Sequence, residues 1–280
     1  MEFKVIGSGG CTALPRPLCN CRVCAEAREK GRPYSRFGCC LFLKELNMII
    51  DTPEDIVQSI NCSGIDKIDK VLYSHVDPDH TLGMRVFEQL KLDWLKVSEG
   101  HECEDPIEVM AREKVMEELN SIRFCLGSYL DYYEGVRQLI KRRIANDSIE
   151  INSIRITFVE VGSATIFVFE EGDKKLIYAP CDVKPFPDKA IFMDADVMII
   201  GNTIIGEDLK DGFILKENNP LKRELFVMED IVALKDKYNI KEVVMIHLEE
   251  DWGKSYDDYL RLEKNYTGIR FAYDGMEINI

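Results

Sequence analysis

Short apolar runs broken by turn residues set the pattern of the first half of the chain. Phe3 to Ile6 is β-prone and stops at Gly7-Ser8-Gly9-Gly10. Cys39 to Leu43 and Met48 to Ile50 predict two strands paired around the turn Lys44-Glu45-Leu46-Asn47. Lys70 to Tyr73 predicts another strand, and a helix is expected from about Thr81 to Leu90, where Met84, Phe87 and Leu90 share one face. From about 105 to 145 the spacing turns helical. Asp105-Pro106 suits a helix start, and Ile107, Met110, Val115, Leu119, Ile122 and Leu126 recur at near-helical intervals, with Gly127 as a divider. The second half returns to strands at Ile154 to Val159, Ala164 to Phe169 and Leu176 to Ala179. Val197 to Ile200 and Glu242 to Ile246 are continuous apolar runs suited to strands covered on both faces, with a helix from about Leu225 to Lys237 between them. No repeat or linker divides the pattern, so one α/β domain spanning 1 to 280, with a helical insertion at about 105 to 145, is the expectation.

Composition narrows the classes. At 46% hydrophobic and 31% charged residues the chain can bury a core beneath a solvated surface. No run is long enough to span a membrane, and the opening Met1-Glu2-Phe3-Lys4 reads as a strand rather than a signal peptide, which gives a cytoplasmic expectation. A net charge of −14 argues against nucleic acid as a partner. The one tight basic run, Lys141-Arg142-Arg143, is read as the basic end of a helix. The ten cysteines are not a disulfide framework without a secretory context; most, Cys181 among them, read as buried thiols, whereas Cys19, Cys21 and Cys24 form a cluster of the kind that holds metal.

Only four histidines exist, and three sit at strand ends. His75 and His80 bracket Asp77 and Asp79 directly after an apolar strand, and His247 closes another; His101 reads as a surface residue. Strand ends of an open α/β sheet project into one crevice. Two imidazoles and two carboxylates within six residues are costly to hold together without a cation, and such donors suit Zn²⁺, Mn²⁺ or Fe²⁺.

Ser74-His75-Val76-Asp77-Pro78-Asp79-His80-Thr81-Leu82-Gly83 resembles the His-x-His-x-Asp-His-x-x-Gly signature of metallo-β-lactamase-fold hydrolases. Gly7 to Gly10, Ile49-Ile50-Asp51-Thr52, Tyr178-Ala179-Pro180-Cys181-Asp182 and His247 resemble the family's other landmarks in order. The resemblance implies a four-layer αββα sandwich and a divalent-metal active site drawing on His75, Asp77, Asp79, His80, Asp182 and His247, with Asp79 and His80 catalytic. It gives His75 and Asp77 to a first ion, and Asp79, His80, His247 and a bridging Asp182 to a second. Two family histidines are replaced here by Asp77 and Gly162, so the first ion is expected to be weakened and the second firm. Cys19-x-Cys21-x-x-Cys24 is similar to the structural zinc knuckle of two branches, the cyclic phosphodiesterase accessory to carbon–phosphorus lyase and the pyrroloquinoline quinone biosynthesis protein B. In the first branch the fourth ligand falls at Glu250; Cys39 and Cys40 compete for that place. The function implied is hydrolysis of a small phosphodiester, cyclic ones included, by metal-bound hydroxide. The alternatives are a non-catalytic or cofactor-biosynthesis protein holding only the knuckle zinc, and an RNA-processing phosphodiesterase. Thr203 and Lys184 are candidates to face a substrate oxygen, and a homodimer is a candidate assembly.

Overall fold

The computed structural model describes residues 1–280. Two seven-stranded sheets pack face to face. The first runs, across its width, Glu277–Asn279, Glu2–Gly7, Cys40–Leu43, Met48–Ile50, Lys70–Leu72, Ile107–Arg112 and Ile140–Ala145. The second runs Ile269–Phe271, Glu242–Met245, Val197–Ile200, Lys174–Ala179, Ala164–Glu171, Ile154–Val161 and Ser148–Ile151. The period-two pattern explains the layering. Phe3, Val5, Leu41, Ile50 and Leu72 meet Phe167, Phe169, Tyr178, Ile199 and Val244 in the inter-sheet core. Their neighbours Ile49, Val71 and Val109 turn outward onto Ile56, Phe87, Val115 and Leu119 of the helices. On the other side Ile177, Met198 and Met245 turn onto Met228, Ile231 and Tyr259. The result is the expected αββα sandwich. No helix is long and apolar enough to cross a membrane.

The parallel strands place the chemistry. Ile50 is in register with Leu72, and Ala179 with Ile200 and Met245, so the chain leaves each sheet at one common edge. Asp51, His75, Asp182 and His247 all lie just beyond those strand ends.

The segment from 105 to 145 is not a helical insertion. Ile107–Arg112 and Ile140–Ala145 are parallel strands of the first sheet, joined through the helix Glu113–Ser121 and a short hairpin. Ile107, Val109 and Ala111 face the helices while Met110 faces the inter-sheet core, a strand alternation that the helical reading absorbed. Pro106, lacking a donor, is equally suited to precede a strand. Lys141-Arg142-Arg143 therefore lies on an edge strand, not at a helix end. Arg142 is paired with Asp131 and Glu134 and Arg143 with Glu108, so this run is no free phosphate patch.

A buried polar knot pins the glycine turn. Asp274 accepts hydrogen bonds from Ser8 N (2.9 Å), Ser8 Oγ (2.7 Å) and Phe37 N (2.8 Å), while Arg36 donates to Ser8 Oγ. Burial outweighs these bonds and the nearby Arg36 charge, and pushes the Asp274 carboxyl up to about 6. The folded chain thus keeps a proton that the unfolded chain has released, and stability falls as pH rises from the ordinary carboxylate range through about 6. Urea titrations of wild type and Asp274→Asn should show the wild type gaining about 1 kcal/mol relative to the variant between pH 7.5 and 5. An equal response in both would contradict this.

Candidate metal centre

His75, His80 and His247 converge on one point, each held by an outer partner. Ser74 Oγ gives its hydrogen to Asp51 Oδ2 (2.6 Å) and so accepts from His75 Nδ1 (2.8 Å). His80 Nδ1 bonds Asp51 Oδ2 at 2.9 Å. His247 Nδ1 lies 3.2 Å from Glu249 Oε1, near enough to pair though poorly aligned for a hydrogen bond. The Nε2 atoms of His75 and His80 therefore face inward, the orientation a ligating histidine takes when its other nitrogen is tied to an outer group, and His247 Nε2 points the same way, toward Asp79. The three rings are buried.

Cys181 sits at the focus. Its Sγ is 3.2 Å from His75 Nε2 and 3.3 Å from His80 Nε2. Burial alone would raise the thiol, but the His80 and His247 imidazoles beside it prevail and hold it well below the usual thiol range. The thiol in turn, against the effect of burial, holds His80 and His247 above the usual imidazole range. Asp79 Oδ2 lies 3.1 Å from His247 Nε2 and 3.5 Å from His80 Nε2. Although burial opposes it, those two rings bring its carboxyl down to about 2.

Two triads of donors share this focus. Asp79, His80 and His247 offer atoms within 4.8 Å of one another, and so do His75, Asp77 and Asp182. Cys181 joins His75 and His80, one from each triad. Asp182 thus stands with His75 and Asp77 rather than with Asp79, His80 and His247, and the thiol one residue earlier occupies the shared position expected of Asp182. Asp182 is exposed and Asp77 half-buried, so the centre opens to solvent past carboxylates. Burial, Cys181 and Asp77 together raise the Asp182 carboxyl, the sign of crowded like charge that a cation would relieve. Asp51, Asp182 and His247 also all adopt positive φ (65°, 61° and 57°), a conformation that costs about 1 kcal/mol or more apiece and collects at functional sites. The donor set fits bound metal.

Asp51 serves two of the three histidines through Ser74 and His80. Asp51→Ala should weaken metal binding at this centre by about 10- to 100-fold in chelator competition. An unchanged affinity would show that Asp51 is only a packing residue.

The knuckle residues also meet. Glu250 Oε1 is 3.0 Å from Cys21 Sγ, 3.4 Å from Cys24 Sγ and 3.7 Å from Cys19 Sγ. Cys39 and Cys40 lie instead in the strand core. Lys210 bonds both Glu250 and Cys19, a nearby positive charge that sequence spacing gave no reason to expect. Lys184 does not face the centre: its Nζ is taken by Lys222 O, Leu225 O and Asp230. Thr203 is buried with its hydroxyl unpaired, and His101 is exposed beside Glu99. Sequence reasoning missed Cys181 and Glu249. The available signals were a cysteine at a strand end beside Asp182, and an acid two residues after His247.

Residues 47–248 match the family model described as beta-lactamase superfamily domain. The chain belongs to the beta-lactamase superfamily. The match takes in Asp51, the histidine motif, Cys181, Asp182 and His247, and stops short of the knuckle cysteines and Glu250. Superfamily folds resemble the whole chain. A diphosphatase of the PhnP family is 19% identical with a TM-score of 0.70, covering 100% of this chain and 97% of that one. Zinc-bound PqqB from Methylobacterium extorquens is 17% identical at 0.74, covering 100% of both, and the short form of human tRNase Z is 12% identical at 0.65, covering 100% of this chain and 99% of that one. An octanoyltransferase of Porphyromonas gingivalis is 33% identical over 87 residues, 30% of this chain and 17% of that protein, so the match spans under a fifth of that relative.

Proposed function

We propose that this superfamily member is a dinuclear metal-dependent phosphodiesterase acting on a small phosphodiester, with a separate structural zinc at the knuckle. The observation that carries this is the pair of donor triads either side of Cys181. Asp79, His80 and His247 would hold one ion and His75, Asp77 and Asp182 the other, with Cys181 between them. The likeness to a diphosphatase of the PhnP family supports the phosphoryl reading.

Charge separates one ion from two. Asp77, Asp79, Asp182 and a Cys181 thiolate carry four negative charges. Two divalent ions neutralise them; one leaves a net negative mouth that repels a phosphodiester anion. The thiolate also selects metals, favouring Zn²⁺ over hard ions such as Mg²⁺. When bound, the ions would supply an acidified water and draw off charge from the phosphoryl oxygens. The chain's own residues prepare the site. Ser74 and Asp51 fix the His75 and His80 rings, Glu249 stands beside His247, and Asp79 and Asp182 line the solvent side, where their spare oxygens can orient an attacking water. The buried histidine face confines substrate to the carboxylate side.

The test is hydrolysis of bis-p-nitrophenyl phosphate and cyclic nucleotides by zinc-loaded protein. Metal-dependent turnover is expected; fully loaded protein that cleaves neither would overturn the reading. One observation favours a second reading, the stretch shared with an octanoyltransferase. An aromatic hollow lined by Leu82, Phe124, Tyr129 and Tyr132 beside Thr81, the residue after His80, has room of about 340 Å³ for an acyl chain. Cleavage of p-nitrophenyl octanoate in preference to the phosphodiesters would select an acyl ester substrate instead.

A further inference from the structure

The four residues His247-Leu248-Glu249-Glu250 serve both metal-binding groups at once. His247 belongs to the active centre and Glu250 to the knuckle. Between them, buried Glu249 turns back across the chain. Its Oε1 accepts from Cys11 N at 2.9 Å and lies 3.2 Å from His247 Nδ1; its Oε2 meets Thr12 N at 3.4 Å and Thr12 Oγ1 at 3.3 Å. Residues 11 and 12 lead straight into the knuckle, where Leu14 packs on Val23, Cys24 and Ala27. Leu248 is stitched to the same turn, with Leu248 N on Ser8 O (3.0 Å) and Gly10 N on Leu248 O (3.2 Å). Space is tight: a Cβ on Gly10 would stand 2.1 Å from the Glu249 carboxyl. Both arms of the knuckle, residues 11–24 and residue 250, thus bear on the one carboxylate that stands beside His247 Nδ1.

We propose that Glu249 is a positioning residue that couples the knuckle to the active centre, so that an ion in the knuckle raises the centre's affinity for the ion on His247. The physical route is short. Closing Cys19, Cys21, Cys24 and Glu250 on an ion fixes the Cys11 and Thr12 amides and the 249–250 peptide, which holds the Glu249 carboxylate against His247. His75 and His80 lean on Ser74 and Asp51 of the other sheet and lie outside this route. The effect is bounded by what an outer partner of a ligating histidine contributes, about 10- to 100-fold in affinity, and linkage makes it reciprocal.

The experiment measures Zn²⁺ affinity of the active centre in full-length protein by competition with a chromophoric chelator. Glu249→Gln keeps both ligand sets and should weaken one active-centre equivalent about 10- to 100-fold. Gly10→Ala, which displaces the carboxyl without touching a ligand, should do the same, and Cys21→Ser should weaken that equivalent while emptying the knuckle. Combining Cys21→Ser with Glu249→Gln should add little to either alone, because both break one route. A merely structural Glu249 would lower the thermal midpoint of metal-free protein and leave affinity alone. Affinity within twofold of wild type in Glu249→Gln overturns the coupling, as do effects of Cys21→Ser and Glu249→Gln that multiply independently. Should Cys21→Ser not fold, the reciprocal measurement decides: Glu249→Gln should also weaken the knuckle's own Zn²⁺ affinity, and a knuckle affinity unchanged from wild type overturns the coupling. The proposal rests on the metal centre but not on its substrate: loss of coupling with phosphodiesterase activity intact, or coupling without that activity, separates the two.

Discussion

His80→Ala is expected to cut phosphodiester hydrolysis steeply and to release the ion held by Asp79, His80 and His247, leaving the ion of the other triad and the knuckle ion. His80 is fully buried, bonded on one side to Asp51 and facing Cys181 and Asp79 on the other, so no solvent group can take its place. Its loss removes a ligand rather than a ligand's support. The fall in kcat/KM should therefore exceed the roughly 10- to 100-fold of an outer-partner change such as Asp51→Ala, reaching on the order of 10³-fold. Asp79→Asn makes the same point with less change of shape: the side chain still fits, but the negative charge facing His247 is gone. Metal analysis beside kinetics distinguishes the outcomes. A His80→Ala protein that keeps wild-type metal content and activity would remove the active-centre assignment.

The second large effect is expected at the knuckle. Cys24→Ala should lose one zinc and lower the thermal midpoint by about 10 °C, corresponding to a loss of about 4 kcal/mol, in the range that the removal of a structural metal produces. The reason is the size of the local core. Leu14, Val23, Cys24 and Ala27 form a cluster of four buried residues, too small to hold the segment from Cys11 to Arg36 by packing alone. The ends of the segment are tied by Arg36 to Ser8 and by Cys11 to Glu249, and Arg22 and Tyr34 reach Asp258 and Asp257, but its centre closes on the three thiols around Glu250, flanked by Lys210 and Arg16. Limited tryptic cleavage after Arg28 and Lys30 should accelerate in the variant. An unchanged midpoint and cleavage rate would mean that the thiols hold no metal.

Much of this architecture is legible along the chain because each sheet is buried on both faces. The apolar runs at Met48–Ile50, Val197–Ile200 and Glu242–Met245 are strands near where periodicity put them, and polarity falls away where a strand is covered twice. The same property hid Ile107–Arg112. Its apolar positions 107, 109, 110 and 111 satisfy either period, and the true helix after it, Glu113–Ser121, lent the strand its rhythm. In the centre, His75, Asp79, His80 and His247 stand out because imidazoles are scarce in this sequence and each follows an apolar strand. Cys181 does not stand out: a thiol in an apolar neighbourhood has the composition of ordinary core, and only the folded chain brings it between His75 and His80. Glu249 is hidden for another reason. Its nearness to His247 is local, but its amide partners, Cys11 and Thr12, lie more than two hundred residues away in the chain, and no local pattern announces that contact. Lys184 shows the converse, a charge that sequence proximity to Asp182 made attractive but that the fold commits to the loop ahead of Met228–Lys237.

Two triads and a knuckle that each hold an ion set a metal content that elemental analysis of the purified protein reads out. Wild-type protein reconstituted with Zn²⁺ and freed of excess should carry about three equivalents, and about two in His80→Ala and in a folded Cys21→Ser variant, the missing ion coming from the active centre in the first and from the knuckle in the second. A wild-type protein saturating at a single equivalent, retained in full by His80→Ala, would contradict the account.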